Sequence, residues 1–336
     1  MPNQPQQPKR KKSTYGGGSV YQRKSDGRFV AKYLHPDTGK PVLRYTDTQK
    51  EAEKELENIK FEIRQGTLAT GPNQKVKDYM QQWLEEIHRP QINANTYSKH
   101  RSIVYHHIIP ALGHLELKKL TPQQVQKFYT DAEKVGLKKS SVRDIHKVLR
   151  NALKNAARWG MVSQNVCDKV TAPRVGRSQH TMLSVEQMQR LLQTAENHAG
   201  MEAFLKLVLT TGMRHGELLA LRWDAIDFGT GILAVRHNVA HIPGQGFLVG
   251  PPKTEDGKRS TPLPQFVLSA LRKHQAFQTV QRELAGATWL NNNLVFCNER
   301  GRHLYEGVSL RRFRKVLADA DLPLHITMHD LRHNVA

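Results

Sequence analysis

Apolar and polar positions repeat in two different ways along this chain, and the change of period divides it. Between residues 18 and 46 the apolar runs are short and bounded by turn residues. Residues 19–24 are closed by Asp26-Gly27, a hairpin signal. Residues 29–34 follow, then Pro36-Asp37-Thr38-Gly39, then residues 42–45. This pattern predicts three strands. After Thr48 the period becomes helical, with Ala52, Leu56, Ile59 and Ile63 on one stripe. Glu51 stands three residues after Thr48, a capping-box spacing, and Gly66 is a natural stop. Residues 15–66 therefore read as a small strand-helix domain.

Residues 67–73 carry Gly and Pro and read as a linker, and from Val76 the pattern is helical for about ninety residues. Val76, Tyr79, Met80, Trp83 and Ile87 form a first stripe. A second helix is expected from about Thr96 to Ile109, ending before Pro110. Thr121-Pro122-Gln123-Gln124 supplies a cap, a proline at the first helical position and a reciprocal partner for a third helix through Val125, Phe128 and Tyr129. Ser140 or Ser141 is the expected cap of a fourth, with Val142, Ile145, Leu149, Leu153 and Ala156 inward. Residues 73–170 thus predict a compact helical bundle. Residues 171–179 form a second linker, basic and extended.

From residue 180 to residue 336 helices and strands mix. Ser184 and Gln187 mark a helix start. Residues 201–209 are nearly all apolar and predict a deeply buried helix. Strands are expected at 232–235 and 247–249, a polar hairpin at 251–260, and helices at 266–284 and 308–320. The fold class is mainly α with small β elements, a multidomain α+β protein, and no internal repeat is evident.

Charge narrows the function. The 336 residues hold 51 Lys and Arg against 30 Asp and Glu, a formal charge of +21. An excess of this size favours a polyanion, most simply double-stranded DNA, through phosphate contacts and counterion release. A membrane partner is not expected: no apolar run is long enough to span, and the polar, proline-rich start is unlike a signal peptide. Cys167 and Cys297 stand far apart without a CxxC, which implies a reducing, cytoplasmic setting and two buried structural thiols. Residues 1–14, with Lys9-Arg10-Lys11-Lys12 in a row, read as a disordered basic tail. Arg23, Lys24, Arg28, Lys32, Lys40 and Arg44 make the N-terminal sheet basic, and a three-stranded sheet can enter a major groove. Arg143, Lys147, Arg150, Lys154 and Arg158, interspersed with Asn151 and Asn155, line the fourth helix of the bundle. A solvated helix face is the competing reading, and the net charge favours DNA. Arg23, Lys32, Arg143, Lys147, Arg150 and Lys154 are the candidate DNA contacts.

Candidate chemistry comes from three places. Thr211-Gly212-Met213-Arg214 turns into a helix whose Glu217, three residues on, can brace the arginine. Lys253 lies on the polar hairpin. His329 and Arg332 stand three apart, so one helix presents both. Two arginines, a lysine and a histidine suit a phosphodiester activated without a metal. Guanidinium forks hold the non-bridging oxygens, and a lysine or histidine protonates the leaving oxygen. His329 and His333 have the i, i+4 spacing of a metal pair, but the HExxH glutamate is absent and Arg332 would crowd a cation. No metal or other cofactor is expected.

At these residues the sequence resembles the tyrosine recombinases, the phage-integrase family. Thr-Gly-Met-Arg214-x-Gly-Glu217-Leu, followed by Leu-Arg-Trp-x-x-Ile-Asp, is similar to the family's first arginine box. Pro-Lys253-Thr with the following Arg-x-x-Pro-Leu-Pro is similar to its catalytic-lysine hairpin, and His329-Asp330-Leu331-Arg332-His333 to its His-x-x-Arg box. The resemblance implies an arm-site-binding module at 15–66, a core-binding bundle at 73–170 and a catalytic domain at 180–336. It implies that Arg214 and Arg332 grip the scissile phosphate and that Lys253 is the general acid. His329 would assist proton transfer and Glu217 would orient Arg214. Members close as a clamp on DNA and synapse two sites as a tetramer, in the integration or excision of mobile elements. The family's nucleophilic tyrosine follows the His-x-x-Arg box, whereas this sequence reaches Ala336 without one, and Asn334 replaces a usual hydroxyl residue. Tyr305, the nearest tyrosine before the box, does not match the nucleophile's place in the pattern. The expectation is a phosphate-activating site without its own nucleophile and a catalytic domain incomplete at its C-terminal end. A non-catalytic DNA-binding remnant that occupies attachment sites is the alternative.

Overall fold

The computed structural model describes residues 17–34, 39, 41–64, 73–176, 182–252 and 257–333. The basic tail, most of the turn at 36–39, Lys40, Gly66, Lys253 and Asn334 lie outside the described residues. The chain divides into two compact units, Met1–Gly176 and Arg177–Ala336.

In the first unit, β1 (Ser19–Gln22), β2 (Phe29–Leu34) and β3 (Pro41–Thr46) form an antiparallel sheet in that order. Helix α1 (Gln49–Arg64) covers one face of it. Thr48 and Glu51 cap α1 reciprocally, each backbone N–H donating to the other side chain at 3.3 Å. Strand alternation puts Val20, Phe29, Ala31, Tyr33 and Val42 toward Ala52, Leu56 and Ile59. Arg44 shares this covered face and is held by Glu55 and Glu62, each at 2.6 Å. The expectation that Arg44 adds to a DNA-facing basic sheet is corrected: two α1 carboxylates claim it. The opposite face presents Tyr21, Lys32, Leu43 and Tyr45, and the Arg23 guanidinium lies 5.6 Å from the Tyr45 ring centre.

The rest of this unit is a helical bundle. Helix α2 (Val76–Gln82) runs into a π turn at Trp83–His88. Helix α3 (Ala94–Ile103) runs through a second π turn, Val104–Ile108, into α4 (Ile109–Leu112). The helix therefore does not stop before Pro110. Pro110 sits in the first turn of α4, where its missing N–H costs little, and the wider π turn before it relieves the ring clash. Each π turn inserts a residue and shifts the buried stripe. Leu84 and His88 are buried, while Ile87 is only half-buried. Helix α5 (Pro122–Lys134) carries the expected Thr121–Gln124 capping box. Helix α6 (Lys139–Arg158) begins at a cap position occupied by Lys138, not at Ser140 or Ser141. Its start is set by the Lys138 carbonyl, which accepts from the Ser141 and Val142 amides. The inward stripe of α6 is buried as expected, with Val148 and Ala152 added. Cys167 packs in this core, and burial pushes its thiol up to about 12. Cys297, in the second unit, is only half-buried, which corrects the expectation of two fully buried thiols.

Three bundle imidazoles, one buried and two half-buried, are expected to make the bundle acid-sensitive. His88 Nε2 and His100 Nδ1 share a hydrogen bond of 2.7 Å, which needs one of the two nitrogens unprotonated. Burial, before any neighbouring charge, lowers the pKa of His88, His100 and His146 below the ordinary imidazole value. The unfolded chain then binds more protons between the folded and unfolded pKa values, so stability rises with pH across that window. The bundle is expected to hold its full stability above the ordinary imidazole pKa and to lose it as pH falls below. Thermal unfolding followed by circular dichroism from neutral to mildly acidic pH checks this, and a flat profile contradicts it.

The second unit is built around one core that includes Phe204, Leu218, Leu233, Phe296, Phe313 and Leu331. Helix α7 (Val185–Ala195) has the Ser184–Gln187 capping box. Helix α8 (Met201–Thr211) is buried along most of its length and ends at Gly212 with φ 58°, the left-handed cap a glycine takes readily. The short helix α9 (His215–Leu219) follows. Strands β4 (Ile226–Asp227), β5 (Ile232–Val235) and β8 (Arg259–Pro262) make one antiparallel sheet. Strands β6 (Asn238–Ile242) and β7 (Gly246–Gly250) make a separate hairpin. The sequence pattern missed β4, β6 and β8, which are too short or too polar to alternate visibly. Helices α10 (Gln265–Ala285), α11 (Glu306–Asp319) and α12 (Met328–His333) complete the unit, and α12 packs on α8.

Candidate active site

The site forms where α8 ends. The turn at Gly212 reverses the chain, so Arg214 occupies the cap position of α9 with extended backbone, φ −69° and ψ 151°. Glu217 is only 1% exposed and serves two arginines. Its Oε1 accepts from Arg214 Nη1 at 2.9 Å. Its Oε2 accepts from the Arg214 backbone N–H at 3.0 Å and from Arg259 Nη2 at 3.3 Å. The carboxylate thus caps α9 and ties it to β8. Gly216 lets α9 approach β6 this closely: a Cβ there would lie 2.4 Å from Asn238 Oδ1 and 2.7 Å from the Val239 carbonyl oxygen.

Helix α12 brings the second pair. Thr327 and Asp330 cap it, with Asp330 Oδ2 accepting from the Thr327 N–H at 2.8 Å and hydroxyl at 2.7 Å, so Asp330 is a structural residue here. Arg214, His329 and Arg332 line one cavity of about 500 Å³ together with His215, Glu306, Arg314 and His325. Arg332 Nη1 is buried and has no hydrogen-bond partner among the described residues. Burial lowers the pKa of Arg332, the positive charges of Arg214 and Arg259 lower it further, and Glu217 works the other way. Three guanidiniums around one carboxylate, with a buried donor left over, form a site that favours an anion.

His215, next to Arg214, reaches α11. Its Nε2 lies 2.8 Å from Ser309 Oγ and its Nδ1 3.3 Å from Glu306 Oε1. The contact with His215 keeps the Glu306 carboxyl below the ordinary carboxylate pKa. Tyr305 does not line the cavity; its ring centre lies 4.7 Å from His241 and 4.9 Å from Phe247.

Of the residues singled out in the sequence, the structure brings Arg214, His329 and Arg332 to one cavity and puts Glu217 behind Arg214. Lys253 and the His333 side chain lie outside the description. Arg259 was present in the Arg-x-x-Pro-Leu-Pro segment but had no assigned role. Only its distance in sequence from Glu217 hid the pairing, and the segment's arginine was the available signal. Away from the site, Arg23 and Lys32 lie on the uncovered sheet face. Arg143, Lys147, Arg150 and Lys154 are exposed along α6. Lys147 pairs with Asp144 at 3.3 Å and Arg150 with Asp168 at 2.8 Å. Arg143 and Lys154 have no carboxylate partner among the described residues.

Comparison with known proteins gives this geometry a family. Residues 181–336 match the phage integrase family, and residues 75–132 match the phage integrase N-terminal SAM-like domain. An integrase of Saccharopolyspora erythraea is 25% identical, over 89% of this chain and 81% of its own. A XerC-like tyrosine recombinase of Caldanaerobacter subterraneus subsp. tengcongensis is 26% identical over the same shares. Among solved structures, the Tn1549 transposon integrase in complex with a circular intermediate DNA aligns with a TM-score of 0.66 at 17% identity, over 78% of this chain and 85% of that one. A lambda integrase tetramer bound to a Holliday junction aligns with a TM-score of 0.57 at 18% identity, over 97% and 91%. The chain belongs to the tyrosine recombinase, or phage integrase, family.

Proposed function

We propose that this chain is a site-specific DNA recombinase of the integrase type, which binds double-stranded DNA and activates a scissile phosphate for integration or excision of a mobile element. The observation that carries the reading is the convergence of Arg214 and Arg332 on one cavity, with Glu217 bracing the first and, on the second, a buried N–H that has no partner among the described residues. In this reading the two guanidiniums hold the non-bridging oxygens and absorb the charge that develops at phosphorus. His329 hydrogen-bonds the phosphate, and Lys253 protonates the leaving 5′-oxygen. The N-terminal module (15–66) reads arm-type DNA through the Arg23 and Lys32 face. The bundle (73–170) holds core DNA through α6, and residues 180–336 do the chemistry. No cofactor takes part. The protein works in the cytoplasm and self-associates on DNA; no described helix is long and apolar enough to cross a membrane.

A second reading has one observation in its favour: no tyrosine lines the cavity among the described residues. The chain then occupies attachment sites without cutting. A nicked duplex that traps covalent intermediates separates the two. An adduct formed by this chain, alone or with a tyrosine supplied in trans by a partner, supports the recombinase, and DNA binding with no adduct in either case supports occupancy without cutting. An adduct abolished by Tyr305→Phe overturns the placement of Tyr305 outside the chemistry.

DNA binding itself is tested by salt. Affinity for a short duplex, followed by fluorescence anisotropy, is expected to fall steeply and linearly in log–log form with salt. Arg143→Gln and Lys154→Gln are each expected to reduce that slope by about 1. A flat salt response in the native chain overturns the reading of the charge excess.

A further inference from the structure

Arg259 is unlike the other two arginines at the site. It is one-quarter exposed, its Nη2 donates to Glu217 Oε2 at 3.3 Å, and its Nη1 donates to the Gly257 carbonyl at 3.4 Å. It does not line the cavity that Arg214 and Arg332 share. It therefore acts through Glu217 and through its charge, not by touching a ligand.

We propose that Arg259 is a positioning residue whose charge, seated on Glu217 beside Arg214 and Arg332, sets this cluster at a net +2 and so matches it to a doubly charged phosphoryl group. The inference rests on the reading of Arg214 and Arg332 as a phosphate site. Three guanidiniums against one carboxylate leave two positive charges; without Arg259 one remains. A phosphodiester carries one negative charge. When a deprotonated oxygen nucleophile adds to its phosphorus, the new P–O bond brings a second charge onto the pentacoordinate group. That charge departs only when the bond to the leaving oxygen breaks and that oxygen takes up a proton from a general acid. The attraction grows with the product of the two charges, so a cluster at +2 prefers the doubly charged intermediate to the singly charged ground state about twice as strongly, in free energy, as a cluster at +1. Arg259 also frees Arg214. With the Glu217 charge shared between two arginines, Arg214 gives the carboxylate one edge of its fork and leaves the other for the cavity. Burial is the first cause of the lowered Arg332 pKa, and the further lowering by the charges of Arg214 and Arg259, against the opposing Glu217, agrees with a cluster short of negative charge.

Inorganic phosphate is a suitable probe because it passes from monoanion to dianion near neutral pH. Its binding to the full chain is measured by calorimetry on both sides of that ionisation, with thermal unfolding of every variant followed in parallel. The native chain is expected to bind the dianion more tightly. Arg259→Gln is expected to lose about tenfold in affinity for the dianion and much less for the monoanion, flattening the pH dependence. Arg259→Lys keeps the charge and is expected to keep the slope. The other titratable and charged groups at the cavity (His215 on α9, Glu306 and Arg314 on α11, His325 before α12, His329 and Arg332 on α12) are common to all three proteins, so a difference in slope belongs to position 259. A Gln variant that folds and keeps the native slope overturns the proposal, as does a folded Lys variant that loses it. If the Gln variant does not fold, the Lys variant decides alone. A native chain that binds no phosphate overturns the phosphate-site reading itself, an outcome distinct from the others.

Discussion

Glu217→Ala is expected to destabilise the second unit by about 3 kcal/mol, lowering its thermal midpoint by about 10 °C. Three effects add. Arg214 loses the acceptor for its backbone N–H, which costs about 1 kcal/mol as a lost cap does. Two charge-assisted hydrogen bonds disappear, each worth more than a neutral one. The removed side chain also leaves a small void in a place that is 1% exposed. The total is held down because Arg214 and Arg259 are 39% and 25% exposed and can recover water. Glu217→Gln fills the same space and still accepts from the Arg214 N–H, so its cost is expected to be about half as large. Thermal and urea unfolding of the two variants against the native chain measure both. An Ala variant that melts within about 1 °C of native, on a scale where 1 kcal/mol moves a unit of this size by several degrees, shows that the shared carboxylate does not stabilise the unit.

Local signals were the most legible in the sequence, because their causes are a few residues apart. The capping boxes at Thr48, Thr121 and Ser184 formed as their spacing predicted. The braced Arg214–Glu217 pair and the shared face of His329 and Arg332 rest on spacings of three residues, which a helix turn brings together whatever its surroundings. Features decided by tertiary packing were not legible. The two π turns that carry the chain past Trp83 and up to Pro110 leave no mark on a 3.6-residue stripe except a shift in its phase. Leu84 and His88 are buried where the stripe pointed to Ile87. Arg44 and Arg259 show the same limit for charge. Each looked like one more basic residue, and each is claimed by carboxylates 11 to 42 residues away. A count of positive charges therefore overstates how many unpaired cations the N-terminal sheet presents and understates how the cluster around Glu217 is wired.

Arg332→Met is expected to weaken phosphate binding by about 100-fold while leaving the unit as stable as the native chain or slightly more so. Most arginines that pack inside a protein stabilise it through a carboxylate. Arg332 has like-charged neighbours in Arg214 and Arg259, a buried Nη1 with no partner among the described residues, and a pKa lowered first by desolvation. Such a group costs free energy in the folded state, and a methionine of similar length removes that cost while filling the space. Binding moves the other way. A guanidinium fork on a phosphate makes two charge-assisted hydrogen bonds, so its loss is expected to weaken inorganic phosphate by about 100-fold. Lysine should not replace it, because an ammonium cannot supply the planar fork. Arg332→Lys is thus expected to recover only about tenfold of the loss. Calorimetry with phosphate and thermal unfolding of the same preparations check both halves. If Arg332→Met melts several degrees lower and still binds phosphate, Arg332 is a structural arginine and the cavity is not a phosphate site. If affinity falls while stability holds, the unpaired N–H is a cost the folded chain carries for its ligand, the pattern expected of a functional group and not of a packing one.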